Sequence, residues 1–131
     1  MLTLKLKIQK ENQGLITRLI DVQDIYDEFG FGIVDIYAIQ AFISYAYNSW
    51  VAPSPAYVLL IGDGHFDPKD NLGYGRTSFI PPFLANCDPQ LNETAADNRY
   101  VSIIGDDTFP DLMLGRLSVN TALEAQSIIE K

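Results

Sequence analysis

Three aspartates, Asp63, Asp107 and Asp111, carry most of the chemistry this sequence could perform. Asp63 follows the apolar run Tyr57-Val-Leu-Leu-Ile and a glycine. Asp106 and Asp107 follow a second run, Tyr100-Val-Ser-Ile-Ile, again with a glycine between. A buried parallel strand that ends in glycine plus carboxylate belongs to the carboxyl edge of an α/β sheet, where ligands and metals bind. Two such ends can converge on one cation. In an extended strand Asp107 and Asp111 would stand about 13 Å apart at ~3.3 Å per residue. Sharing an ion therefore requires the Asp107-Thr-Phe-Pro-Asp111 turn to curl, as Pro110 favours. That curl also aims the carbonyls of Ile104 and Phe109 inward. Three carboxylates with backbone carbonyls make an all-oxygen site suited to calcium, whereas magnesium would keep more water. The competing reading is that these aspartates are turn residues bonding their own backbone.

Two other chemistries are weaker. The segment Ile61-Gly-Asp-Gly-His-Phe-Asp67 is similar to the magnesium-holding segment of haloacid-dehalogenase-type phosphatases. Those enzymes also need an Asp-x-Asp-x-Thr/Val nucleophile after an earlier strand, and Gln23-Asp-Ile-Tyr26 does not supply it. His65 and Cys87, the one histidine and the one cysteine, suggest a thiolate–imidazole pair. Cys87 lies between Asn86 and Asp88, where a negative field disfavours the thiolate. Asn92-Glu-Thr94 fits a glycosylation acceptor pattern that is frequent by chance.

The elements that position these residues can be read from local patterns. Residues 2–12 are open between strand and helix: Leu2, Leu4, Leu6 and Ile8 alternate, but Gly14 suits a helix C-cap. Leu15 to Val22 reads as a strand, and Asp24 to Gly32 as a turn-rich loop closed by glycines. Asp35 is placed to cap a helix over 36–50 whose face is Ile39, Phe42, Ile43, Ala46 and Trp50. Pro53 and Pro55 end it. Tyr57 to Ile61 reads as a fully buried parallel strand. The stretch 64–98 reads as one long loop, with Ser78 to Leu84 packed on the body. Arg99 to Ile104 and Leu112 to Leu117 read as further strands. Thr121 and Glu124 have capping-box spacing for a final helix. The order implies an α/β fold, a mostly parallel sheet flanked by helices.

Composition limits the partners. With 131 residues, 47% hydrophobic and 20% charged, the chain forms one domain or part of one. A formal charge of −8 argues against nucleic acid, whose phosphates demand a basic surface. One cysteine excludes an internal disulfide framework and a multi-cysteine zinc site. No apolar run is long enough to cross a membrane, and the charged start is no signal peptide. The last helix stops at Lys131 without a glycine cap, which reads as truncation.

The segments Ile25-Tyr-Asp-Glu-Phe, Ala38-Ile-Gln-Ala-Phe-Ile and Tyr57-Val-Leu-Leu-Ile-Gly-Asp-Gly resemble the gingipain-like cysteine peptidases. So do Ile80-Pro-Pro-Phe, Ala96-Asp-Asn-Arg-Tyr-Val and Gly105-Asp-Asp with Leu114-Gly-Arg-Leu. In order and spacing these cover residues 15–131. The resemblance implies the amino-terminal subdomain of a caspase-like catalytic domain, a single partial domain over 1–131 truncated at both ends. It implies a structural calcium held by Asp63, Asp107 and Asp111 through carboxylates and by Ile104 and Phe109 through carbonyls. Asp111 stands where some members have glutamate. The family's catalytic histidine and cysteine come later than Lys131, so no catalytic residue is expected here and neither His65 nor Cys87 matches. It tips residues 2–13 toward helix.

The chain is thus expected to be an inactive fragment of a cysteine-type endopeptidase. The parent would act on peptides or proteins, outside the cell or at its surface. Its partners would be the remaining half of the catalytic domain and, through exposed sheet edges, further copies of itself. The alternative is a non-catalytic calcium-binding α/β module or degenerate peptidase remnant.

Overall fold

Asp21 and Asp35 start the two helices around which the core is built. Asp21 Oδ1 accepts from Gln23 N–H at 2.8 Å and opens α2, Val22–Phe29. Asp35 Oδ1 accepts from Tyr37 N–H at 2.9 Å and opens α3, Ile36–Ser49. Each cap satisfies a backbone donor that a helix start would otherwise leave unpaired. The computed structural model describes residues 2–65, 67–75, 78–90 and 92–131. Before these helices lies α1, Leu2–Asn12; after them come β1, Tyr57–Ile61, β2, Leu84–Asp88, and β3, Asn92–Ala95. A 3-10 helix, Asp97–Val101, leads to β4, Met113–Leu117, and α4, Ala122–Ile129. Among the described residues no helix is long and apolar enough to cross a membrane.

Strands β1 and β4 pair in parallel, Tyr57 beside Met113 and Ile61 beside Leu117, while β2 and β3 form an antiparallel hairpin. Ile25, Tyr26, Ala38, Ile39, Ile43, Leu60, Phe83, Tyr100 and Val101 make one core, with Val58 and Leu114 packed against it. The alternate residues of the sheet face away: Tyr57 is 64% exposed, Leu59 44% and Met113 67%. This corrects the expectation of a fully buried β1. Among the described residues the sheet has two strands and only its helix side is well covered.

Other expectations change too. The expected strand Leu15 to Val22 does not form: 15–21 has no strand partner among the described residues, Leu15, Ile16, Leu19 and Ile20 are exposed, and Val22 opens α2. The region expected to be a loop from Asp24 is helix α2, because Asp21 caps it and Val22, Ile25, Tyr26 and Phe29 line one face. Within the long 64–98 stretch, β2 and β3 form the hairpin. Arg99 to Ile104 is not a strand: the 3-10 helix turns Tyr100 and Val101 fully into the core. Residues 2–12 are helical, and helix α3, β1, β4 and α4 form as expected. In α4 the capping box is shifted, since Glu124 accepts from Asn120 N–H at 2.7 Å while Thr121 Oγ1 accepts from Glu124 N–H.

Two buried tyrosines meet in this core. Burial, then the Asp35 charge, pushes the Tyr26 hydroxyl up to about 12. Burial likewise pushes Tyr100 upward, so both stay protonated. Tyr100 Oη donates to the Pro81 carbonyl at 2.6 Å, but Tyr26 Oη has no hydrogen-bond partner among the described residues. An unsatisfied buried hydroxyl costs about 1–3 kcal/mol. Tyr26→Phe is therefore expected to raise unfolding stability by about 1 kcal/mol in urea denaturation, and a comparable loss would contradict this packing.

Candidate functional site

The carboxyl end of β1 is built by two glycines in close quarters. Gly62 has φ +143°, and a Cβ there would stand 2.7 Å from Phe79 Cβ. At Gly64 a Cβ would meet the Ile80 carbonyl at 2.7 Å. Only glycine lets the chain pass so close beneath residues 79–82. Between them, Asp63 Oδ1 accepts from Gly64 N–H at 3.0 Å and Oδ2 from Asn120 Nδ2 at 3.3 Å. Its backbone bridges Val119 and Phe79, so this aspartate ties three segments together.

Beyond it, His65 Nδ1 lies 3.1 Å from Asp67 N and 3.4 Å from the Asp67 carbonyl oxygen, so this backbone holds the ring. The buried Asp67 carboxylate accepts from Asn71 N–H at 3.0 Å and Leu72 N–H at 2.7 Å. The Leu72 N–H is the main reason this carboxyl is held below the usual range, with burial opposing. Its stabilising effect is present above the unfolded-state pKa and lost as pH falls through the lower folded one. The side chain of Cys87 lies outside the described residues.

Arg116, in the middle of β4, closes the site. Nε and Nη2 form a forked pair with Asp97 at 2.7 and 3.0 Å. Nη1 donates to the carbonyls of Gly62 and Ile80, both at 2.8 Å, and Nη2 reaches the Pro81 carbonyl at 3.3 Å. Asp97 Oδ1 also accepts from Phe83 N–H at 3.3 Å. One guanidinium thus joins β4, the end of β1, the 79–83 segment and the 3-10 helix. Both residues fall in the family-like segments 96–101 and 114–117, but no local pattern pairs them. The available signal was a lone cation within the apolar strand Met113–Leu117, which demands a nearby acceptor set.

The five expected calcium ligands do not come together. Asp111 Oδ2 accepts from Ile103 and Ile104 N–H, both at 2.7 Å, and Asp107 Oδ1 from Phe109 N–H at 3.0 Å. The 103–111 turn therefore does curl, setting Asp111 against Ile103 and Ile104 and Asp107 against Phe109. Asp63 is elsewhere. The turn enters β4 at its amino end, beside Tyr57, whereas Asp63 leaves β1 beyond Ile61. At ~3.3 Å per residue this separates them by roughly 20 Å. Among the described residues no three His, Cys, Asp or Glu side chains cluster closely enough to hold a metal. The expected convergence failed because Tyr100–Ile104 is not a strand parallel to β1. Neither carbonyl, of Ile104 or of Phe109, accepts a hydrogen bond among the described residues, which leaves both open to an oxygen-seeking cation.

A family model described as peptidase family C25 matches residues 4–131. Among solved structures, that of dimeric latent PorU from Porphyromonas gingivalis is similar, with a TM-score of 0.75 and 22% identity. The match covers 98% of this chain and 14% of that one. At this identity the likeness is one of fold, an α/β layer of the caspase-like, gingipain-like kind. No curated protein sequence matches the chain.

Arg116 and Asp97 are mostly buried, with side chains 11% and 24% exposed. Removing one member of such a pair leaves an uncompensated charge, a loss of about 3–5 kcal/mol. Arg116→Met should lose that much in urea denaturation, and the Arg116→Met, Asp97→Asn double variant less than the sum of the singles. A loss below about 1 kcal/mol for Arg116→Met, the range of exposed ion pairs, would show the clamp to be incidental.

Proposed function

Because this chain belongs to peptidase family C25, we propose that it is the amino-terminal part of a cysteine endopeptidase's catalytic domain, without a catalytic dyad of its own. The observation that carries this reading is the family match along 4–131, taken with the state of the one histidine. A general base needs a free ring lone pair near the thiol. In His65, Nδ1 is engaged by the Asp67 backbone. The dyad of the complete peptidase is then supplied by sequence other than these 131 residues. There a thiolate attacks the scissile carbonyl of a peptide or protein substrate, and the protonated imidazole gives its proton to the leaving amine. Water then hydrolyses the thioester. This chain's share is structural: Arg116, Asp97 and Asp63 hold the carboxyl edge of the sheet, the edge against which α/β folds place their chemistry.

The uncovered sheet face supports a partner of the same kind. Parallel sheets are normally covered on both faces, and Tyr57, Leu59 and Met113 are not. The remaining half of the catalytic domain packs there in the complete enzyme, and in its absence the same face and edges favour self-association. The family reading also puts the complete peptidase outside the cell or at its surface.

We further propose that the 103–111 turn binds calcium through the carbonyls of Ile104 and Phe109 and the carboxylates of Asp107 and Asp111, without Asp63. The curled turn and its two open carbonyls support this oxygen set. Bound calcium would neutralise the two carboxylates and brace the entry to β4.

Alone, the chain is expected to cleave nothing in a mixed peptide library, and to regain cleavage when the rest of the catalytic domain is added as a separate polypeptide. Cleavage by the chain alone, abolished by Cys87→Ala, would overturn the reading. For the metal, calcium at ~100 times its dissociation constant should add about 2.7 kcal/mol over chelator-treated protein, an increment lost in Asp107→Asn. Equal melting temperatures with calcium and with chelator would exclude the turn as its site.

A further inference from the structure

Phe31 sits where neither burial nor backbone favours an aromatic residue. It is 96% exposed, and its φ is +56°. The turn Gly30–Ile33 is closed by Ile33 N–H to the Gly30 carbonyl at 3.1 Å, with Gly32 at φ +77°. Two successive left-handed positions favour Asn, Asp or Gly, and a bulky side chain there is an outlier. Ile33, 58% exposed, and Tyr37, 63% exposed, follow Phe31 along the chain, Tyr37 in the first turn of α3.

The sequence on either side of this turn carries one sign of charge. From Leu19 to Pro68 the sequence contains no lysine or arginine. Asp24, Asp27 and Glu28 are exposed on α2 immediately before the turn. Asp27 Oδ1 lies only 3.4 Å from where a Gly32 Cβ would be. Among the described residues none of these carboxylates has an ion-pair partner.

We propose that Phe31, Ile33 and Tyr37 form a docking surface for a basic segment of another protein that also carries apolar side chains. The apolar tip supplies the contact area and the carboxylates select its sign. A second copy docking face to face would oppose like carboxylates, and an anionic membrane would be repelled. This proposal does not rest on the peptidase reading, and its test requires no cleavage.

The probe is a short synthetic peptide of alternating lysine and leucine, with its glutamate-for-lysine counterpart, followed by fluorescence anisotropy. The lysine peptide should bind and the glutamate peptide should not. Phe31→Asn should weaken binding about tenfold, as loss of an aromatic anchor does, yet raise the melting temperature because asparagine tolerates the left-handed turn. Glu28→Lys should weaken binding with no change in melting temperature, which separates docking from folding. Binding that Phe31→Asn leaves unchanged, or no binding at all, would overturn the proposal. So would binding of the free chain to anionic vesicles, or a dimer that Phe31→Asn dissolves.

Discussion

A single guanidinium organises this molecule. Arg116 lies in a strand whose other side chains are apolar or absent, so burying it demands that all its donors be used. Asp97 takes two of them in the forked geometry that only arginine offers. The carbonyls of Gly62, Ile80 and Pro81 take the rest. This arrangement has consequences for the chain on every side. Gly62 must pass close to Phe79, which excludes a side chain there. Residues 79–83 must lie across the sheet end. The 3-10 helix must present Asp97 while Tyr100 and Val101 enter the core, and Tyr100 then reaches the Pro81 carbonyl from the other side.

The two edges of the sheet use their aspartates differently. At the carboxyl edge, Asp63 and Arg116 work as structural ties, bonding Asn120, Val119, Phe79 and the 79–83 segment. At the amino edge, Asp107 and Asp111 curl the turn that feeds β4. Both kinds of aspartate looked alike in sequence, since each follows an apolar run and a glycine. Their difference arises because one run is extended and hydrogen-bonded to a neighbour, while the other coils to bury Tyr100. The chain belongs to peptidase family C25 and shares the caspase-like α/β fold.

Legibility in the sequence followed the range of the interactions. Helix α3, β1, β4 and α4 carry local signals: the Asp35 cap, an apolar run, and the Thr121–Glu124 spacing. Helix α2 also had one, Val22, Ile25, Tyr26 and Phe29 behind Asp21, but the apolar residues of Leu15–Ile20 drew Val22 into an imagined strand. That segment shows why strand propensity misleads: pairing is decided by a neighbour, and none is present among the described residues. The hairpin β2–β3 and the coiling at Tyr100 depend on contacts far along the chain. The Asp97–Arg116 pair was equally hidden, because only the folded sheet end brings the two together.

The central claim is that Arg116 holds the carboxyl-edge segment in place rather than merely adding stability. Residue-resolved hydrogen exchange on Arg116→Lys tests it, since lysine keeps the charge but cannot serve this set of acceptors. The account predicts faster exchange at Asp63, Phe79 and Phe83, whose amides bond Val119, Asp63 and Asp97, with α3 amides unchanged. Uniform acceleration throughout the molecule, or no acceleration at these three amides, would contradict it.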